Sequence, residues 1–221
     1  MKVLVRSLVL LALVTFALPA PARAQYDRLN AAAVVLQEIV EQPDAGIPRD
    51  LFKKAECVVI VPGMKKGAFI VGGKYGRGFM SCRRATGGWS APGGVRVEGG
   101  SVGFQIGGTE TDVIMLLMNP SGVDKLLSSK FTIGGEASAA AGPLGRNASA
   151  MTDAQMRAEI LSWSRARGVF AGISLDGATL RGDDATNKEL YGRKISNREV
   201  VTGMVAAPEG ASRLMKELEQ M

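Results

Sequence analysis

The chain has 221 residues, 27 of them Lys or Arg against 21 Asp or Glu, and no histidine. The missing histidine removes the usual general base near neutral pH, the commonest metal ligand and every His-containing catalytic triad. Two cysteines alone cannot build a structural zinc site, and of the net charge of +6 only about +3 remains once the first 24 residues are set aside, a balance that does not suggest the dense basic surface non-specific nucleic-acid binding needs.

Residues 1–24 read as a secretory signal peptide. Lys2 and Arg6 give a positive start, Leu8 to Leu18 is apolar apart from Thr15, and Ala22-Arg23-Ala24 offers the small residues a signal peptidase grips, with Gln25 next. The apolar stretch is shorter than the roughly 18–20 residues a bilayer span requires. Both cysteines lie beyond this junction, which excludes a lipid-modified N-terminal cysteine. The leader holds three of the basic residues (Lys2, Arg6 and Arg23), so the remaining 24 face 21 acids and the net charge falls to about +3. The expected product is a single domain, 25–221, exported to a periplasmic or extracellular location.

Tyr26 to Gln42 predicts a helix, with Leu29, Ala33, Leu36 and Val40 on one face and Asp27, Glu38 and Glu41 roughly opposite. Pro43 ends it, and a second short helix is expected near Pro48 to Glu56. From Cys57 the pattern changes to short apolar runs broken by turn residues: Cys57 to Val61, Ala68 to Val71, Gly78 to Cys82, Val95 to Val97, Val102 to Ile106 and Asp112 to Met118. These read as an antiparallel meander. The last run is apolar on both faces, as a doubly covered central strand would be. Asn119-Pro120 opens a helix to about Leu127. Phe131 and Ile133 alternate, and Glu136 to Gly145 is almost all small residues, which implies close approach of another backbone or a ligand. Thr152-x-x-Gln155 and Ser196-x-x-Glu199 fit capping boxes. Ile160 to Arg165 and Val169 to Leu175 flank Arg167-Gly168 as a hairpin, and Pro208 to Glu219 predicts a terminal helix. The fold class is α+β: an antiparallel sheet curled into a barrel or sandwich, covered by N- and C-terminal helices.

Motifs for catalysis are missing. Gly73-Lys-Tyr-Gly76-Arg-Gly78 has the wrong order for a dinucleotide fingerprint and joins strands instead of opening a helix. Ser90, Ser101 and Ser174 have no histidine to activate them. Asp183-Asp184 reads as a cap for a helix over Ala185 to Tyr191 before it reads as a metal site. No enzyme, metal or cofactor is expected.

Four runs in order, VVIVPGMKKGAFIVGGKYGRGFMSCR, GGWSAPGGVRVEGGSVGFQIGGTETDVIMLLMN, FTIGGEASAAAGPLGRNASA and SWSRARGVFAGISLDGATLRGDDATNKELYG, resemble the SYLF-domain family from about Ala32 to Met204. The resemblance implies phosphoinositide or acidic-lipid binding without catalysis, actin binding in some fungal members, and in eukaryotic members an N-terminal amphipathic helix with lysines that meets the bilayer. This chain departs there: between Gln25 and Gln42 Arg28 stands against Asp27, Glu38 and Glu41, a net of −2. A helix built for an anionic membrane carries Lys and Arg on its polar face, so this one is expected to pack on the core. Phosphoinositides and actin are not expected partners in a bacterial-type envelope.

The expected function is a non-catalytic, acidic-lipid-binding module of the cell envelope, peripheral to a membrane; the alternative is a structural or stress-related envelope protein working through protein partners. In a meander the loops after the first and third strands share one end, which would gather Lys65, Lys66, Arg83 and Arg84 on one rim as the candidate lipid site. A solvated sheet end is the plainer reading of the same four residues. Arg146 and Arg167 lie in family-like runs, where either would serve a ligand or brace a loop. For Cys57 and Cys82 the arguments divide. An oxidising compartment favours a disulfide, whereas opposite ends of five-residue strands stand roughly 17 Å apart, beyond the reach of a bridge of about 7 Å.

Overall fold

The computed structural model describes residues 20–41, 46–68, 71–102, 107–128, 130–145, 151–166 and 169–221. Most of the expected leader, Arg146, Arg167 and the end of the run Val102 to Ile106 lie outside them. Two helices, α1 (Ala20–Glu41) and α2 (Arg49–Lys54), precede β1 (Cys57–Ala68), β2 (Val71–Cys82), β3 (Gly93–Val102) and β4 (Gly107–Leu117). Then come α3 (Pro120–Ser128), β5 (Lys130–Thr132), β6 (Ala139–Ala141), α4 (Asp153–Arg157), β7 (Ile160–Ala166), β8 (Val169–Gly172) and β9 (Thr179–Gly182). The chain finishes with α5 (Asp184–Tyr191), α6 (Asn197–Thr202), a 3-10 turn Glu209–Ala211 and α7 (Ser212–Glu219).

The nine strands of the described residues form one sheet in the order β5-β9-β3-β2-β1-β4-β7-β6, with β8 also paired to β7. The sheet is strongly curled into a half-barrel. Cys57–Val61 of β1 and Val113–Leu117 of β4 are covered on both faces, which is why these stretches are continuous apolar runs. Val58, Ile60, Phe79, Ile114, Leu116 and Trp163 face a layer that includes Leu29, Leu36 and Phe52 of α1 and α2 and Leu214 of α7. Val59, Met80, Val95, Val113, Met115 and Leu180 face the other side, closed by Leu126 of α3 and Val201 of α6. Helix α1 is thus a core element, with Leu29, Ala33 and Leu36 fully buried.

The meander differs from expectation in its strand count. Pro62-Gly63 does not end a strand; β1 carries one extra residue there against both β2 and β4. Gly63 takes a φ of +60°, its amide donates to Asp112 at 2.8 Å, and the strand bends and continues. Gly72-Gly73 likewise lies inside β2. Three expected short strands are therefore two strands of 12 residues. One pairing is parallel: β6 runs alongside the first half of β7, and β8 is antiparallel to its second half. The small-residue stretch finds its close neighbour in the chain itself, because Gly142 lies against the Trp163 ring and its carbonyl approaches Gly172. Both capping boxes form, at Thr152 and Ser196.

Candidate functional site

The two-strand hairpin separates the four candidate cations. Cys57 pairs with Cys82 and Lys65 with Tyr75. Lys65 and Lys66 are exposed eight and nine residues up β1, whereas Arg83 and Arg84 follow the end of β2 beside the start of β1. Eight residues at about 3.3 Å each put roughly 26 Å between the pairs. The single rim is corrected to two ends: folding three runs into two strands changes which loops share an end.

The same geometry brings the cysteines together. Cys57 and Cys82 are bonded, with Cα atoms 4.0 Å apart, as directly opposed neighbours in β1 and β2. The 17 Å separation expected above assumed one more reversal of direction.

At the disulfide end, Arg83 is committed to the fold. Its guanidinium donates to the carbonyls of Phe52 (2.8 Å) and Ala55 (3.2 Å) at the end of α2 and lies 4.4 Å from the centre of the Trp89 ring. The turn of α2 that it holds carries Lys53 and Lys54, both exposed. Arg84 borders an open groove of about 430 Å³ with Ala85, Thr86, Val201 and Met204. Met204 is 95% exposed. Glu56 and Asp124 supply the nearby negative charge, and Arg198 stands 3.9 Å from Asp124.

A second cluster went unnoticed in the sequence. Arg77 of β2 opposes Arg96 of β3, Arg96 opposes Arg181 of β9, and Arg181 opposes Lys130 of β5. Directly opposed residues share a face, so four cations cross four strands in one line. Asp183, 1% exposed at its side chain, sits 3.2 Å from Arg77 Nε and 3.8 Å from Arg96 Nε. Its carboxylate also accepts from the amide and hydroxyl of Thr186 as the cap of α5. Glu98 accepts from Arg181 at 2.9 Å and lies 3.8 Å from Arg96. Arg28 of α1 adds charge: burial, then the proximity of Arg77, lowers its pKa, with Asp183, Tyr75 and Glu189 opposing. Beside Arg96 and Arg181 opens a cleft of about 420 Å³, between the end of α3 (Leu127, Ser128), the first turn of α5 (Asp184) and the start of α6 (Ser196). The available signal was one Arg in each of the runs GKYGRG, VRVE and TLRGD, but only strand register aligns them.

No group of three or more metal-ligating side chains occurs among the described residues. No described helix is long and apolar enough to cross a membrane. Residues 98–221 match the family model Ysc84, described as Las17-binding protein actin regulator. This chain belongs to the Ysc84/SYLF family. It is 37% identical to the SH3 domain-containing protein PJ696.02 of Schizosaccharomyces pombe, covering 78% of this chain and 40% of that one. It is 31% identical both to Protein YSC84 of Saccharomyces cerevisiae (85% of this chain, 42% of that one) and to SH3 domain-containing YSC84-like protein 1 of Bos taurus (85% and 57%). The chain thus spans 40–57% of the length of these family members.

Proposed function

We propose that this chain is a non-catalytic module that binds acidic lipid surfaces, exported to the cell envelope by cleavage after Ala24. The observation that carries the reading is the disulfide end of the sheet, where exposed Lys53 and Lys54 and the cation Arg84 accompany Met204, which is 95% exposed. Cations near an anionic leaflet contribute on the order of 1 kcal/mol each, and an exposed apolar side chain beside them gains by entering the head-group region. The Cys57–Cys82 bond suits an oxidising compartment. Lys65 and Lys66, at the far end of the hairpin, would face away from a membrane docked in this way.

The decisive experiment is flotation of the 25–221 protein with vesicles of increasing anionic-lipid content and salt. Binding should rise with anionic lipid and fall steeply as salt rises, because exposed charges are screened beyond about 10 Å at 0.1 M. Absence of the protein from anionic vesicles at low salt would overturn the reading. A second reading, contact with protein partners of the envelope, draws on names such as "Las17-binding protein actin regulator", and it would then lead. N-terminal sequencing of exported protein should begin at Gln25.

A further inference from the structure

We propose that the line Arg77–Arg96–Arg181–Lys130, with the cleft beside it, is a binding site for a phosphate monoester. Strands are about 4.8 Å apart, so three successive spacings hold all four cations within roughly 15 Å. Like charges directly opposite one another destabilise a sheet, so the fold alone gains nothing from setting three arginines side by side. The partial compensation is visible. Asp183 and Glu98 each stand between two arginines, and Arg28 adds a further cation toward Arg77. Asp183 cannot serve the arginines fully, since it also caps α5 through Thr186. The Nε atoms of Arg77, Arg96 and Arg181 are shut off from solvent and form no hydrogen bond. Their side chains remain 25–35% exposed, which leaves guanidinium surface open to a ligand.

The chemistry of the ligand follows from these groups. A guanidinium presents parallel N–H donors that match two oxygens of a phosphate, and several at one site favour a dianion over a monoanion. A monoester carries nearly two charges at pH 7, and a diester only one. A cleft of about 420 Å³ lies within the range of small-molecule sites. It therefore admits the phosphate with a small polar group attached. Asp184 at its border disfavours a second anionic group on that side. The same phosphate can come from a free metabolite or from a lipid head group. The inference goes beyond surface docking, because the arginine line lies apart from the Lys53–Lys54 end.

Glycerol 3-phosphate titrated calorimetrically into the 25–221 protein tests the site. Saturable binding is expected, weakened at least tenfold in Arg96→Gln/Arg181→Gln. Glu98→Gln should tighten binding about threefold, because it frees Arg181 without removing a cation; a brace needed only for structure would give the opposite sign. Glu98→Gln also decides the matter if the double variant does not fold. Vesicles of phosphatidic acid, a monoester, against phosphatidylglycerol, a diester, at matched surface charge separate the two sources: preference for the former assigns the head group, and equal retention with intact glycerol phosphate binding assigns the free ester. Lys53→Glu/Lys54→Glu should leave glycerol phosphate binding unchanged even where flotation is lost, so failure of the membrane reading is distinguishable. No saturable binding by the wild type, or wild-type affinity in the double variant, would overturn the proposal.

Discussion

Gly78 lies directly beneath the carbonyl of Ile60: a methyl group at Gly78 would stand 1.9 Å from that oxygen and 2.8 Å from the Val61 Cα. The obstacle is backbone, so no side-chain rotation relieves it. The contact falls where β1 carries its extra residue, and a methyl at Gly76 would likewise meet Val61 Cγ1 at 2.5 Å. The bend of β1 thus leans on glycines of β2.

Gly78→Ala is accordingly expected to cost about 3 kcal/mol, at the upper end of overpacking effects, and to lower Tm by roughly 6–12 °C. Gly67→Ala, with nothing within 4 Å of the added atom, should be neutral or slightly stabilising. Thermal melts of the two variants check the pair; equal melting temperatures would remove the argument.

Reducing the disulfide should destabilise the fold without abolishing the hairpin. The bond joins residues 25 apart, and closing a loop of that size stabilises by about 3.5 kcal/mol on the chain-entropy account. Calorimetry with and without reductant should show the difference. Alkylation of the denatured, unreduced protein should find no free thiol.

Glu159 should make the protein acid-sensitive. Burial alone would raise its pKa, but hydrogen bonds from Ser121, Lys125 and the Ser138 amide outweigh it and hold the carboxyl at about 2, against an ordinary 4.5. A depressed carboxyl contributes its full stability above about pH 4.5 and loses it as pH falls toward 2. The carboxylate ties α3 to the starts of β6 and β7. Glu159→Gln should cost about 2 kcal/mol at pH 7 and flatten the decline between pH 4.5 and 2. Urea midpoints across that range measure both effects.

For vesicle binding, Lys53→Glu/Lys54→Glu should weaken association by at least about 2 kcal/mol, roughly thirty-fold. Met204→Asp should weaken it further, while Lys65→Glu/Lys66→Glu should change little. Flotation ranks the three. A larger loss from the Lys65/Lys66 variant than from the Lys53/Lys54 variant would place the membrane at the hairpin tip.

Elements governed by local chemistry were legible in the sequence. Thr152 and Ser196 cap their helices through residues three positions away, and the apolar spacing of α1 fixed which face is buried. The strand runs were legible as well, but their ends were not. Pro62-Gly63 and Gly72-Gly73 carry turn chemistry, yet the first makes a bulge and the second lies within β2. A glycine that admits a neighbouring backbone is the same letter as one that turns the chain. That ambiguity changed the strand count, and with it the placing of Lys65 and Lys66 and the distance between the cysteines. The arginine line was illegible for a related reason: Arg77, Arg96, Arg181 and Lys130 meet only through the registers of three strand pairs.

The strands that finish the sheet have their own consequence. At one end β5 is three residues long and begins with Lys130; at the other β6 is also three residues, and β8 takes up the remaining length of β7. Along β5 and β6 themselves a foreign strand therefore meets only a brief ladder of free amides and carbonyls. Backbone pairing of a second copy with β5 or β6 is thereby confined to three residues, and association at these two strands must be made mainly by side chains.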